Sequence, residues 1–140
     1  MSDFVLNARL QRDCHHLADL PLCRLLMMDD ARFPWFLLVP RVLGARDAID
    51  LDAEDYHRLW EESADLCRAM RTAFTPHKLN VAALGNQVAQ LHVHHIARYQ
   101  SDAAWPAPVW GVGQARACDE ALVTQRRSEL LAALPGRLSP

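Results

Sequence analysis

Neither sign of charge predominates along this chain of 140 residues, where 15 lysines and arginines face 17 aspartates and glutamates for a formal net charge of −2. Without a basic field there is nothing to grip a polyanionic backbone, so no nucleic acid is expected as the main partner, while a small phosphorylated ligand stays open. No apolar run approaches the ~20 residues that a membrane-spanning helix needs. The stretch Trp35-Phe36-Leu37-Leu38-Val39 is closed at once by Pro40, and no membrane partner is expected. The start, from Met1 to Asn7, has no basic leader, long apolar stretch or small-residue cleavage pattern, from which a cytoplasmic location is expected. Cysteines are few, and Cys14, Cys23, Cys67 and Cys118 form no Cys-x-x-Cys pair. That argues against a zinc knuckle or a redox dithiol, and they read as reduced thiols, mostly buried. Repeats and low-complexity tracts are missing as well. What is there is 51% hydrophobic and 23% charged, the balance of a single globular domain over 1–140. A domain of that size buries roughly 70% of its unfolded surface and needs neither disulfide nor structural metal to close its core.

Two extended pieces, 13–17 and 23–28, flank the turn residues Asp19-Leu20-Pro21. The apolar run 35–39 between two prolines has strand length and reads as a strand covered on both faces. From Asp52 the period changes: Tyr56, Leu59, Trp60, Ser63, Leu66, Cys67, Met70 and Phe74 recur at three- and four-residue steps, with Glu54, Glu61, Glu62, Arg68 and Arg71 between them. This is one long amphipathic helix with Trp60, Met70 and Phe74 in the core, Asp52 as N-cap and Thr75-Pro76 as stop. A fourth strand over 78–84, a turn at Gly85-Asn86 and a fifth strand over 90–96 follow. The tail 101–140 carries Trp105-Pro106-Ala107-Pro108-Val109-Trp110-Gly111, whose prolines exclude regular helix, and then a terminal helix over 119–134. Gly111-Val112-Gly113 lacks the third glycine of a dinucleotide fingerprint and counts as a loop. Strands, one long helix, then strands again imply an α+β fold with a mainly antiparallel five-stranded sheet and a C-terminal helix.

The fifth strand concentrates the chemistry. Gln90, His92 and His94 alternate with Leu91, Val93 and His95, and in extended chain side chains two apart share a face, their α-carbons about 6.6 Å apart. One face would carry a glutamine and two imidazoles; Leu91, Val93 and His95 look like the buried side. Such a polar row is costly to pack unless it meets solvent, a ligand or itself. His92 with His94 also fits a zinc site, which would need a third ligand such as Cys14, His15 or His16. His95 reads as a satisfied core or interface histidine, His15 and His16 as strand surface, and His57 as helix surface.

Residues 80–98, from Asn80 through Gly85-Asn86-Gln87-Val88 to His92-Val93-His94-His95-Ile96-Ala97-Arg98, resemble the signature of histidine triad (HIT) proteins, in which alternating histidines follow a Gly-rich phosphate turn. Trp105-Pro106 resembles the family tail, and Phe36-Leu37-Leu38-Val39-Pro40-Arg41 its strand ending in a proline and a basic residue, so the resemblance covers most of 20–111. Aligned on Val88 and the turn, Gln90 takes the place of the first triad histidine, His92 that of the nucleophile and His94 the third position. Trp35 stands where many members carry a further active-site histidine. The register that makes His92 and His94 the first two members and Ile96 the third displaces the phosphate turn by two residues.

The resemblance implies a nucleotide substrate and a hydrolase or transferase that needs no metal and no redox cofactor. His92 would attack the α-phosphorus of a nucleoside phosphate, phosphoramidate or dinucleoside polyphosphate, giving a nucleotidyl-histidine that water cleaves. Its Nδ1 proton would be held by a backbone carbonyl, that of Gln90, leaving Nε2 to attack. At an unperturbed pKa near 6.5 roughly three-quarters of such a side chain is neutral at pH 7. His94 would donate to a phosphate oxygen or the leaving group, Asn86 and Gln87 with the turn N–H groups would hold non-bridging oxygens, and Asn80 would lie near the ribose and phosphate, with Gln90 also in the substrate site. A homodimer is implied; Trp105 and Trp110, aromatics on a proline-stiffened tail, have their own domain, a partner subunit or a base to pack on, and an interface role is expected of them. Two further readings stand beside this one: a nucleotide-binding module with little turnover, to which Gln90 and Trp35 point, and a metal-dependent hydrolase.

Overall fold

Alternating and continuous apolar runs become a five-stranded antiparallel sheet in the computed structural model, which describes residues 4–138. Met1 to Asp3, part of the start on which the expectation of a cytoplasmic location rests, and the last two residues of the 1–140 domain lie outside the described residues. Strands β1 (Cys14–Asp19), β2 (Cys23–Met28), β3 (Trp35–Pro40), β4 (Lys78–Ala82) and β5 (Val93–Arg98) stand in the order β1-β2-β3-β5-β4. Short turns make β1, β2 and β3 a meander, and β5 then enters between β3 and β4. The expected α+β architecture is the one observed.

Among the described residues three α-helices complete it: α1 (Ala8–Asp13), α2 (Ala53–Phe74) and α3 (Glu120–Ala133). The first was not legible, because its six residues bury only Leu10 and show no period. Helix α2 starts and stops as read. The Asp52 carboxylate accepts the Asp55 N–H at 2.8 Å, Glu54 and Asp55 meet the positive end of the helix dipole, and Thr75 closes the helix at φ 42° ahead of Pro76. Its buried stripe holds Leu59, Leu66 and Met70, as periodicity requires, and also Glu62 and Asp65. The buried Glu62 carboxylate accepts the Leu22 and Cys23 N–H groups at 2.8 and 2.9 Å, which fastens the β1–β2 turn to the helix.

The sheet separates two cores. Phe36 and Leu38 of β3, Leu25 and Met27 of β2, and Val93 and Ala97 of β5 face α2, with Leu130 and Leu134 of the terminal helical segment behind it. On the opposite face Trp35, Leu37 and Val39 of β3 and Ile96 of β5 meet Leu10 of α1 and Ala104 and Val109 of the tail. Every residue of β3 is buried, as its unbroken apolar run demands. All four cysteines are free, but only Cys23 is fully buried and the other three are half-buried, fewer than expected. Among the described residues no helix is long and apolar enough to cross a membrane.

Candidate functional site

On the face away from α2, the end of β5 meets the loop that precedes it. The fifth strand begins at Val93, three residues later than the alternation implies, and the fourth ends at Ala82 rather than 84. The ladder between β3 and β5 ends at Leu38 opposite Val93, although β3 itself runs on to Pro40, and the Leu91 N–H turns instead to the Ala45 carbonyl at 3.0 Å. Gln90, Leu91 and His92 therefore lie outside the sheet, and the single polar row of Gln90, His92 and His94 does not form. The two imidazoles nonetheless come together, their ring centroids 4.9 Å apart.

Each histidine has a defined proton. A carbonyl can only accept, so the 2.6 Å contact of His92 Nδ1 with the Gln90 carbonyl places a proton on Nδ1 and leaves a lone pair on Nε2. His94 is the reverse: the Trp35 indole N–H donates to its Nδ1 at 3.0 Å, so the proton of neutral His94 sits on Nε2. His95 points to the other face, is fully buried, donates from Nδ1 to the Val93 carbonyl at 3.0 Å and pairs through Nε2 with the Ser63 hydroxyl at 2.8 Å. It is the satisfied core histidine expected.

Burial keeps all three neutral. It pushes His92 below its ordinary value, with the Gln90 backbone working the other way. It pushes His94 down to about 3, helped by the neighbouring His92 and His95 and opposed by the Leu84 backbone. It takes His95 down to about 4 against its bonds to backbone.

A cleft of about 360 Å³ opens over His92 and His94, bounded by the loop 85–88, by Trp110 and by Arg9 and Asp13 of α1. That volume is within the range of small-molecule sites. A smaller hollow of about 130 Å³ shares Gly85, Asn86 and His92 with it and adds Arg46 and Gln90. Gly85 gives the loop room to close, because a Cβ there would stand a tight 3.0 Å from the Val88 carbonyl oxygen. Asn86 and Gln87 are exposed on this loop, with their side chains free of hydrogen bonds to other described residues.

Of the residues singled out from sequence, His92, His94, Asn86 and Gln87 share the cleft. Asn80 does not line it: its Oδ1 accepts from Arg98 Nη1 at 2.8 Å, and Arg98 is itself buried in a bidentate pair with Asp102 at 2.8 and 3.1 Å. Burial opposes the Asp102 charge, but the Arg98 bonds and the N–H groups of Tyr99, Ala104 and Trp105 outweigh it and hold that carboxyl far below the usual range. Gln90 borders the smaller hollow, yet its carboxamide is spent on the N-terminal segment, accepting the Asn7 N–H at 2.8 Å and donating to the Val5 carbonyl at 2.9 Å. Trp105 packs on His77 (5.2 Å) and over the Arg98 guanidinium (5.7 Å), and Trp110 on His94 (5.1 Å) and Trp35 (5.9 Å), and both stay half-buried. His15 bonds Asp29 at 3.0 Å and His16 bonds Asp19 at 3.1 Å. Among the described residues no three His, Cys, Asp or Glu side chains gather as a metal site.

Sequence reasoning missed the wall supplied by α1 and the bond from Trp35. The second had a faint signal, an indole donor in a strand destined for the sheet interior. Only the pairing of Trp35 with Ile96 makes it a diagonal neighbour of His94.

Comparison with known proteins places this geometry. The family model for the HIT domain matches residues 9–101. A histidine triad protein from Bradyrhizobium japonicum is 45% identical with a TM-score of 0.92, over 94% of this chain and 98% of that one. One from Sinorhizobium meliloti is 36% identical with a TM-score of 0.94, over 96% and 99%. One from Marinobacter aquaeolei is 45% identical with a TM-score of 0.91, over 94% and 96%. No curated protein matches the chain.

Proposed function

The chain belongs to the histidine triad family, which supports a nucleotide-binding hydrolase or transferase in broad terms, and from that premise we propose that it cleaves at the α-phosphorus of a nucleoside phosphate, phosphoramidate or dinucleoside polyphosphate with His92 as nucleophile. One observation carries the reading: His92 Nδ1–H is anchored on the Gln90 carbonyl at 2.6 Å, so a neutral ring is held with its Nε2 lone pair available in the cleft. Orientation, more than basicity, is what an imidazole nucleophile lacks in water, and the anchor supplies it.

The remaining parts follow from the same cleft. Asn86, Gln87 and the N–H groups of the loop after Gly85 hold the non-bridging phosphate oxygens, where fixed dipoles act on developing charge. His94 presents Nε2–H as a hydrogen-bond donor. The nucleotidyl-histidine on His92 is then opened by water. Asn80 contributes at one remove, by fixing Arg98 and with it the tail that carries Trp110. A homodimer stays part of the proposal, and sedimentation at micromolar concentration that shows only monomer would remove it.

The decisive experiment is rapid quenching with a nucleoside phosphoramidate or dinucleoside polyphosphate, followed by peptide mass analysis. An acid-labile nucleotidyl adduct is expected on the peptide containing His92. His92→Ala should bind nucleotide and release no product, while release that continues in chelator speaks against the metal-dependent alternative. The commitment of the Gln90 carboxamide to the N-terminal segment leaves one supporting side chain fewer in the cleft and favours the second reading, a binding module. Tight nucleotide binding with neither adduct nor product would establish that reading instead.

A further inference from the structure

Trp35 does to His94 what an imidazole at its place would not: it takes away a proton-accepting site. An indole N–H only donates, so the nitrogen that receives it, His94 Nδ1 at 3.0 Å, must keep its lone pair. Neither ring can swing aside. Trp35 is 6% and His94 4% exposed, and Trp35 is wedged edge-on between Phe33 (6.4 Å) and Trp110 (5.9 Å). An imidazole that releases its Nε2 proton without gaining one on Nδ1 becomes an imidazolate, which does not form near neutral pH. His94 therefore hydrogen-bonds through Nε2–H and cannot hand that proton over.

No other group bounding the cleft replaces it. His92 holds its one proton on Nδ1, against the Gln90 carbonyl and not on the reacting Nε2. Asp13 is ion-paired with Arg12 at 2.9 Å and serves as an acceptor. The Arg9 guanidinium stays charged and does not act as an acid.

Building on the α-phosphorus reading above, we propose that Trp35 makes this protein selective for substrates whose leaving group departs as a stable anion, the phosphate end of a nucleoside or dinucleoside polyphosphate, over phosphoramidates of basic amines. The first step then balances with no proton moved. The Nε2 lone pair of His92 forms the bond to the α-phosphorus, the bridging P–O bond breaks, and its electron pair leaves on the phosphate oxygen while Nδ1 keeps its proton. Water next attacks phosphorus, the P–N electrons return to Nε2, and a proton goes to solvent. An amine would have to leave as an amide anion unless its nitrogen were first protonated, and the cleft supplies no proton for that. Trp35 acts through His94 and is a positioning residue.

The test pairs diadenosine triphosphate with an alkylamine adenosine 5′-phosphoramidate. In the wild type, kcat/KM for the anhydride should exceed that for the amidate by about 10² or more, the span a positioned acid is worth. Trp35→His, which offers His94 an exchangeable proton partner, should narrow that ratio by about tenfold or more within the same span. Nitrogen-15 NMR of the ligand-free protein at neutral pH should show His94 as the Nε2–H tautomer alone, and as a mixture in Trp35→Phe. Equal rates on both substrates, a ratio unmoved in Trp35→His, or a His94 proton on Nδ1 in the wild type would each overturn the inference. Cleavage of neither substrate would instead overturn the α-phosphorus reading itself and the preference with it.

Discussion

Replacing Gln90 with alanine asks where its carboxamide acts. In the intact chain this side chain imitates a neighbouring strand, with Oε1 accepting the Asn7 N–H at 2.8 Å and Nε2 donating to the Val5 carbonyl at 2.9 Å. The first bond is half-buried and the second exposed, so at a net ~0.5–1.5 kcal/mol per hydrogen bond, with the exposed one at the low end, the variant should lose about 1–2 kcal/mol. For a chain of this length that lowers Tm by about 3–8 °C. The Asn7 amide should exchange faster while the amides of β3 stay protected. His92 rests on the Gln90 backbone carbonyl, which alanine keeps, so nucleotide release should fall far less than in His92→Ala. Gln90→His should lose stability too, because one imidazole N–H and one lone pair cannot reproduce both bonds. Abolished turnover in Gln90→Ala, with Tm and Asn7 exchange unchanged, would refute the reasoning and put the carboxamide on the substrate.

Three further outcomes are expected. Ser63→Ala removes the partner of the buried His95 Nε2 and should cost about 1–3 kcal/mol in urea unfolding, the penalty of an unsatisfied buried polar atom; a cost near zero would mean that His95 finds another partner. Asn80→Ala leaves an Arg98 N–H unpaired in the core and should lower stability by a similar ~1–3 kcal/mol while calorimetry finds nucleotide affinity retained; weaker affinity at unchanged stability would move Asn80 onto the ligand. His94 and His95 have folded-state values of about 3 and 4, below the ordinary ~6.5, so the unfolded chain binds protons that the folded one refuses. Their contribution is complete above about pH 6.5 and is lost as pH falls toward 4. Urea midpoints should therefore decline across that window, before the carboxylates titrate; midpoints that are flat between pH 7 and 5 would contradict this.

Much of the fold was readable because it rests on local rules. The period of α2 and its Asp52 cap follow from neighbours in the chain, as does the run 35–39 between prolines. The Gly85-Asn86 turn with His92 and His94 two apart is equally local, and it brought the family resemblance with it. The strand ends were not local: the ladder with β3 ends at Val93 and the Leu91 N–H turns to the distant Ala45 carbonyl, which leaves Gln90 and His92 out of the sheet. Helix α1 is too short to declare itself by period, so the wall it builds beside the cleft stayed hidden.

The amino-acid order alone determined which side chains could do chemistry here, an imidazole pair after a glycine turn with no excess of either charge and no long apolar run. Tertiary structure decided the protons. Gln90 and His92 are neighbours in sequence, but the carboxamide reaches Val5 and Asn7, more than eighty positions away, while only its backbone serves His92. Trp35 and His94 are 59 positions apart and meet because β3 pairs with β5. His95 separates from His94 by the two-residue period of a strand and ends against Ser63 of α2. A ring nitrogen's proton is set by what faces it, and what faces it is a property of strand pairing and packing that residue spacing does not encode.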